Sequence, residues 1–445
     1  MASRWLERVG LHRPELRAWA LYDWANSVFM TTVVQIFPLF FVAHAASGLP
    51  PQTARSRFAI ATSLAVVLVG IAGPFLGAVA DVRAAKKRFL AAFLALGVLA
   101  TAAMALIREG EWVLAAALFV AGNVGVTSTL AFYNSLLPSI AAPGEVDRVS
   151  TAGFALGYLG GGLLLALNLV AIQDPGWFGL ADRSAATRAA FLSAAAWWAL
   201  FSLPLLRRVP EPPARLEPGE APGAGSARVA LGRLVRTLRE LRRHPDAAWL
   251  LAAFLVYNDA VNTIIRMATA FGDELGIAQT SLIAAILMVQ FVGVPFAFAF
   301  GLLAGRIGPK RAILLALAVY AVIAVLGFRL RTTADFFLLA FLVATVQGGA
   351  QALSRSLFAT MVPRHKAGEM FGIFAVFDRF GGAMGSLLFG LVLAATGSSR
   401  PAILALVAFF ALGAWMLGRV DVARGRAAAR EAEARAGDVA PGAPG

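Results

Sequence analysis

The chain has no cysteine and only four histidines in 445 residues. The first absence excludes disulfides and thiolate metal sites. The histidines, His12, His44, His244 and His365, are scattered over loops and the ends of apolar runs, with no metal-ligand spacing between any two. No G-x-x-x-x-G-K-[ST] loop is present to cradle a nucleotide phosphate, which argues against a built-in ATP motor. No Ser/His/Asp constellation appears either, so neither an enzyme nor a cofactor is expected. Charge is scarce: 14% of residues are charged and 59% are apolar, with a mean hydropathy of +0.74. A soluble domain needs more charged surface than that. The short alternating strands that mark a membrane barrel are missing as well.

What is there is a succession of apolar runs of about 20 residues, each long enough to cross a hydrocarbon core as a helix. They fall near 19–43, 58–80, 89–107, 112–138, 149–172, 187–206, 248–271, 279–304, 312–329, 334–361, 369–395 and 401–418. The pattern predicts an all-α polytopic membrane protein with twelve transmembrane helices. The first run is too long for a cleavable signal. The net charge of +14 follows the membrane and is not a nucleic-acid footprint. With the N-terminus inside, tails and inward loops hold 28 of the 39 Lys and Arg, and outward loops hold 8. That bias places both termini in the cytoplasm, with membrane lipid as the surrounding partner and no nucleic acid expected.

A polar segment separates six runs from six. The expected domains are a six-helix bundle over 1–206, a cytoplasmic linker over 207–247, a second bundle over 248–418, and a disordered cytoplasmic tail over 419–445. The linker opens Pro/Gly-rich. It then places Leu231, Leu234, Val235, Leu238 and Leu241 opposite Arg233, Arg236, Arg239, Arg242 and Arg243. This predicts a basic amphipathic helix on the cytoplasmic leaflet, the alternative being a solvated linker. The halves look like copies: Gly77 and Gly301 lie 224 residues apart, Lys86 and Lys310 keep that offset, and Pro138 and Pro363 lie 225 apart. Near-equal offsets in two places argue for tandem duplication, and six plus six in parallel marks the major facilitator architecture, two pseudo-symmetric six-helix bundles. Glycines cluster in spans two, five, eight and eleven, among them Gly73, Gly153, Gly157, Gly293 and Gly372. They predict close helix contact along the seam between halves.

The segment with Gly77, Asp81, Lys86 and Lys87 resembles the major facilitator signature between the second and third helices. WALYDWANS (Trp19 to Ser27), FYNSLLP (Phe132 to Pro138), STAGFALGYLGG (Ser150 to Gly161), FLVYNDAVNTI (Phe254 to Ile264) and QGGAQALSRSLFA (Gln347 to Ala359) look like the "unknown major facilitator" branch, which includes the vacuolar amino-acid effluxers of fungi. The resemblance implies that Asp81 latches the cytoplasmic side in the outward-open state. Two positions depart from the pattern: Ala84 stands where many members have glycine, and Gly305 stands where the second copy would carry its aspartate. Only one half therefore carries the charged gate. Asp81 ends its helix, where the helix dipole gives it no support. It needs a positive partner from Arg83, Lys86, Lys87 or the start of span eleven.

Ionisable groups inside spans are functional candidates by default. Asp23 and Asn26 form D-x-x-N in span one, and Asp259 and Asn262 repeat it in span seven, with Tyr22 and Tyr257 beside them. As symmetry mates, spans one and seven should line a central cavity. The depths disagree, at about 6 Å for Asp23 and about 16 Å for Asp259, so span one begins earlier, near Pro14, or the two sites differ. Asp23 and Asp259 are the expected proton or substrate-ammonium sites. Asn26, Asn134, Asn262 and Gln351 would supply neutral hydrogen bonds, and Arg355 a carboxylate anchor. Arg355 is also expected to form a buried ion pair at matched depth with Asp378, beside Arg379, serving either transport or only as a static clamp. The expected function is alternating-access transport of a small polar solute, with amino-acid efflux as its narrowest form, a proton as the coupling ion, and a monomer in a bacterial inner membrane. An exporter of amphipathic drugs or lipids is the alternative within transport. A non-transporting receptor or scaffold would need a larger soluble domain than 207–247.

Overall fold

A computed structural model describes residues 2–214, 232, 245–380, 383–396 and 399–437. The regular elements among them are all helical. After a short N-terminal helix, Ala2–Arg8, come α1 (Pro14–Ala45), α2 (Pro51–Arg83), α3 (Lys86–Leu106), α4 (Trp112–Ile140), α5 (Val146–Gln173) and α6 (Arg183–Arg208). The second set is α7 (Pro245–Glu274), α8 (Gln279–Ile307), α9 (Pro309–Phe328) and α10 (Thr333–Met361), then α11a (Ala367–Phe380), α11b (Ala383–Thr396) and α12 (Ser399–Arg419). A final helix, α13, covers Val422–Gly437. Eleven helices among the described residues are long and apolar enough to cross a membrane.

The described helices differ from expectation at several points. Pro14 opens α1, where its fixed φ suits a first helical turn. That earlier start sinks Asp23 about 14 Å into the helix. Within α1 two stretches, Phe29–Val33 and Phe41–Ala45, are π-helical. In the first, the Thr31 hydroxyl lies 3.0 Å from the Ser27 carbonyl and 3.1 Å from the Gly161 carbonyl of α5. The expected span at 369–395 corresponds to α11a and α11b, with Gly381 and Gly382 between them outside the described residues. The expected disordered tail is instead helical over α13: Asp421 caps its first turn by accepting from the N–H groups of Ala423 and Arg424. Arg424 then pairs with the buried Asp246 at the start of α7, at 2.8 Å. The expected amphipathic helix of the linker lies outside the described residues, Gly232 aside.

Two seams join the first six helices to the rest, α2 against α11a and α5 against α8. In the first, glycine meets glycine: a Cβ added at Gly368 would sit 2.6 Å from the Gly77 carbonyl, and one at Gly372 would sit 2.7 Å from that of Gly73. Any side chain there would push the helices apart. The glycines of α5 correct the sequence expectation. Gly157, Gly160 and Gly161 admit Ser27, Trp24 and Thr31 of α1, inside one half, and Gly162 alone of this run faces α8, at Gln290. One face of the repeat therefore serves packing within a bundle and not the seam.

Ala84, after α2, is left-handed with φ +47°, the one non-glycine residue at positive φ among the described residues. Gly308, 224 residues on, occupies the matching turn with φ +85°. The two turns share a positive φ but not a ψ, 54° at Ala84 and 152° at Gly308, and only Ala84 carries a Cβ there, at a steric cost. Ala84→Gly is expected to stabilise the protein by about 1 kcal/mol, read as a raised thermal midpoint in detergent. A midpoint at or below that of the parent would contradict the assignment of strain.

Candidate functional site

The α2–α3, α4–α5 and α10–α11a turns share one face with α13 and the N-terminal helix, here the terminal face. Near that face Asp81, in the last turn of α2, accepts from the N–H groups of Gly368 at 3.1 Å and Glu369 at 2.9 Å in the opening turn of α11a. The Lys86 ammonium lies 2.9 Å from its Oδ1, and both side chains are buried. A helix N-terminus and an ammonium together offset the unfavourable C-terminal end of α2. Among the described residues Lys87 takes part through its backbone: the N–H groups of Lys86 and Lys87 donate to Glu211 at 2.7 and 2.8 Å. In the second half Gly305 replaces the aspartate, and Lys310 donates instead to the carbonyls of Gly418 and Val420, at 2.8 Å each. This charged contact has no counterpart there.

Above this closure lies a cavity of about 1060 Å³ between the halves. Its polar lining includes Asp23, Asn26, Asn134, Asn262, Gln351 and Arg355. Asp23 and Arg355 close the floor at 7% and 3% exposure, so their charges meet largely out of water. Both terminal nitrogens of Arg355 donate to Asp23 Oδ2, each at 3.1 Å. The same guanidinium donates through Nε to Ser150 Oγ at 2.9 Å, and through its terminal nitrogens to the Ser150 carbonyl at 2.8 Å and Asn134 Oδ1 at 3.3 Å. The rings of Trp19, Tyr133 and Phe154 surround it at 4.8, 5.5 and 4.5 Å. Space for the pair depends on Gly153, where a Cβ would overlap Asp23 Oδ2. Two further ties link α5 to α10 beside it: Ser150 Oγ donates to the Ala352 carbonyl at 2.7 Å, and the Ser356 hydroxyl donates to Asp147.

The chain matches the family described as "Vacuole effluxer Atg22 like" over residues 48–430. It belongs to that family of major facilitator transporters. It is 33% identical, over 91% of its own length and 94% of the other's, to the "Uncharacterized MFS-type transporter YxiO" of Bacillus subtilis (strain 168). The "Autophagy-related protein 22" of Yarrowia lipolytica is 27% identical over 64% of this chain, and this chain spans about half, 52%, of that protein. Solved structures of the human organic anion transporter MFSD10 and of the proton:xylose symporter XylE share the fold, with TM-scores of 0.69 and 0.66. Each is 14% identical; they cover 91% and 94% of this chain, and 99% and 96% of their own. An integral, multi-pass, secondary active transporter working by alternating access is the class these likenesses establish.

Several residues predicted for the cavity are elsewhere. Asp259 is fully buried and accepts from the N–H groups of Met384, at 3.1 Å, and Gly385, holding the start of α11b. Tyr22 packs 4.9 Å from Tyr133, and the Tyr257 hydroxyl pairs with Ser354 at 2.6 Å; neither lines the cavity. The expected Arg355–Asp378 pair does not form. Arg355 is committed across the seam to Asp23, and Asp378 accepts from Asn258 at 3.0 Å. The side chain of Arg379 lies outside the described residues. Reasoning from depth alone matched Arg355 to the nearest acid of its own half and missed the one opposite. Ser150, Phe154 and Gly153 were also missed as site residues, though their STAGF run was noted for its family resemblance.

Removing the Asp81 charge leaves Lys86 unpaired and weakens the grip on α11a. Asp81→Asn is expected to raise several-fold the thiol reactivity of a cysteine placed at the buried Ala359, since a tie of a few kcal/mol controls a two-state population. Reactivity equal to that of the Asp81 parent would show that the contact does not hold the terminal face shut.

Proposed function

We propose that the protein moves a small, polar, amino-acid-like solute across a bacterial inner membrane, in the direction of export, with a proton as the coupling ion. The observation that carries this reading is the Asp23–Arg355 pair on the cavity floor. Stranding one member of a buried ion pair costs roughly 3–5 kcal/mol, so a solute that parts the two must leave neither alone. A zwitterion does so: its ammonium takes Asp23 and its carboxylate takes Arg355, with no net charge added to the cavity. A proton on Asp23 frees Arg355 for a carboxylate by the same logic. Asn26, Asn262 and Gln351, on the same lining, supply uncharged donors and acceptors. The apolar wall above, with Val66, Phe119, Ile286 and Val289, suits an aliphatic side chain, and equally an amphipathic drug, which competition with amino acids separates.

The two bundles, 1–206 and 248–418, are the bodies that rock in this scheme, a single chain being the working unit. The 28-to-8 bias of basic residues supports cytoplasmic termini, which makes the arrangement described above outward-facing with a shut cytoplasmic side. The effluxer name of the family supports export. Asp23→Asn is expected to reduce amino-acid flux in proteoliposomes to background while expression persists; flux within a factor of two of the parent would remove Asp23 from the mechanism. In intact cells a cysteine at the exposed Ser47 should react with an impermeant thiol reagent and one at Ala434 should not. The opposite pattern would reverse the orientation.

A further inference from the structure

The seat of Arg355 is built by the other half. Trp19 and Asp23 come from α1, Tyr133 and Asn134 from α4, Ser150 and Phe154 from α5, and the guanidinium from α10. One carboxylate oxygen, an amide oxygen, a hydroxyl and a backbone carbonyl accept in its plane, and three aromatic rings surround the cation. That combination is matched to a planar, delocalised cation with forked donors. Opening at the terminal face requires α10 to leave α5, because Ser150–Ala352 and Ser356–Asp147 are bonded there. The departing arginine then leaves a carboxylate among rings. A proton neutralises Asp23 and leaves the remaining acceptors and the ring faces unfilled; a second guanidinium fills all of them.

We propose that this socket is a receptor for the guanidinium group of a transported solute, and that Arg355 occupies it as a built-in stand-in in the state described. The proposal rests on the reading of the cavity as the transport path, and narrows the solute class to guanidino compounds. It explains why an arginine of one half is surrounded by aromatic side chains of the other, an arrangement a simple electrostatic tie does not need.

The test vacates the socket. Arg355→Ala, purified in detergent, should melt lower than the parent, and millimolar n-butylguanidinium should restore at least half of the lost melting temperature. The isosteric, neutral n-butylurea should restore none, and the Asp23→Asn/Arg355→Ala double variant should respond to neither. Should Arg355→Ala fail to fold, the otherwise unaltered protein with a cysteine at Ala359 serves: n-butylguanidinium should raise its thiol reactivity several-fold and n-butylurea should not. Equal responses to the two compounds, or none to either, overturn the receptor. A response to n-butylguanidinium in a protein that carries no amino-acid-like solute would keep the socket and reject the amino-acid reading; amino-acid flux without such a response would do the reverse.

Discussion

A carboxylate ringed by aromatic side chains in a membrane protein has to be paired, and the architecture around Asp23 follows from that requirement. Its partner is drawn from the other half, so the pair ties the two bundles at the cavity floor. Gly153 is small because a side chain there would displace the carboxylate. Ser150 faces α10 because it accepts from the arginine and donates onward to Ala352. Toward the terminal face Gly73 and Gly77 bring α2 onto α11a closely enough for backbone N–H groups to reach Asp81. The cavity can then be closed on one side and open on the other without an unsatisfied charge.

Duplication supplied the frame and the two copies have since diverged in chemistry. Residues 224 apart keep a positive φ at the turn, in Ala84 and Gly308, and keep the lysine, Lys86 and Lys310. The acid of the first copy has become Gly305, and Lys310 has turned to the end of α12. Asp23 and Asp259, alike in their D-x-x-N surroundings, have parted further. One meets an arginine at the cavity floor; the other holds the first N–H groups of α11b. A frame fixes where a side chain sits on its helix, while its neighbours decide what it binds.

Much of this was legible before any coordinates. Apolar runs of spanning length imply membrane helices on thermodynamic grounds, and the central polar segment and the 224-residue offset divide them into two sets of six. The need of Asp81 for a positive partner followed from its place at a helix C-terminus, and Lys86 was among the candidates. Tertiary choices were not legible. Arg355 had two acids within plausible reach, and depth favoured Asp378, whereas the choice of Asp23 depends on how α10 is rotated against α5. The helix of α13 was hidden because its alanine and charge content also fits disorder; the docking of Arg424 onto Asp246 is information from another part of the chain.

The two ties across the seam differ in what it takes to undo them. At the latch, both full charges belong to the same half: Asp81 in α2 and Lys86 in α3 stay together when α11a departs, and what is lost is a pair of N–H contacts that water replaces near the surface. That tie tunes a population and needs no ligand. At the floor the charges belong to opposite halves, and parting them without replacement costs several times the net value of an ordinary hydrogen bond. The contact at the terminal face can therefore part without baring a charge, whereas parting the floor leaves two charges that something else must meet. In this chain the separation that would leave bare charges is that of Asp23 from Arg355.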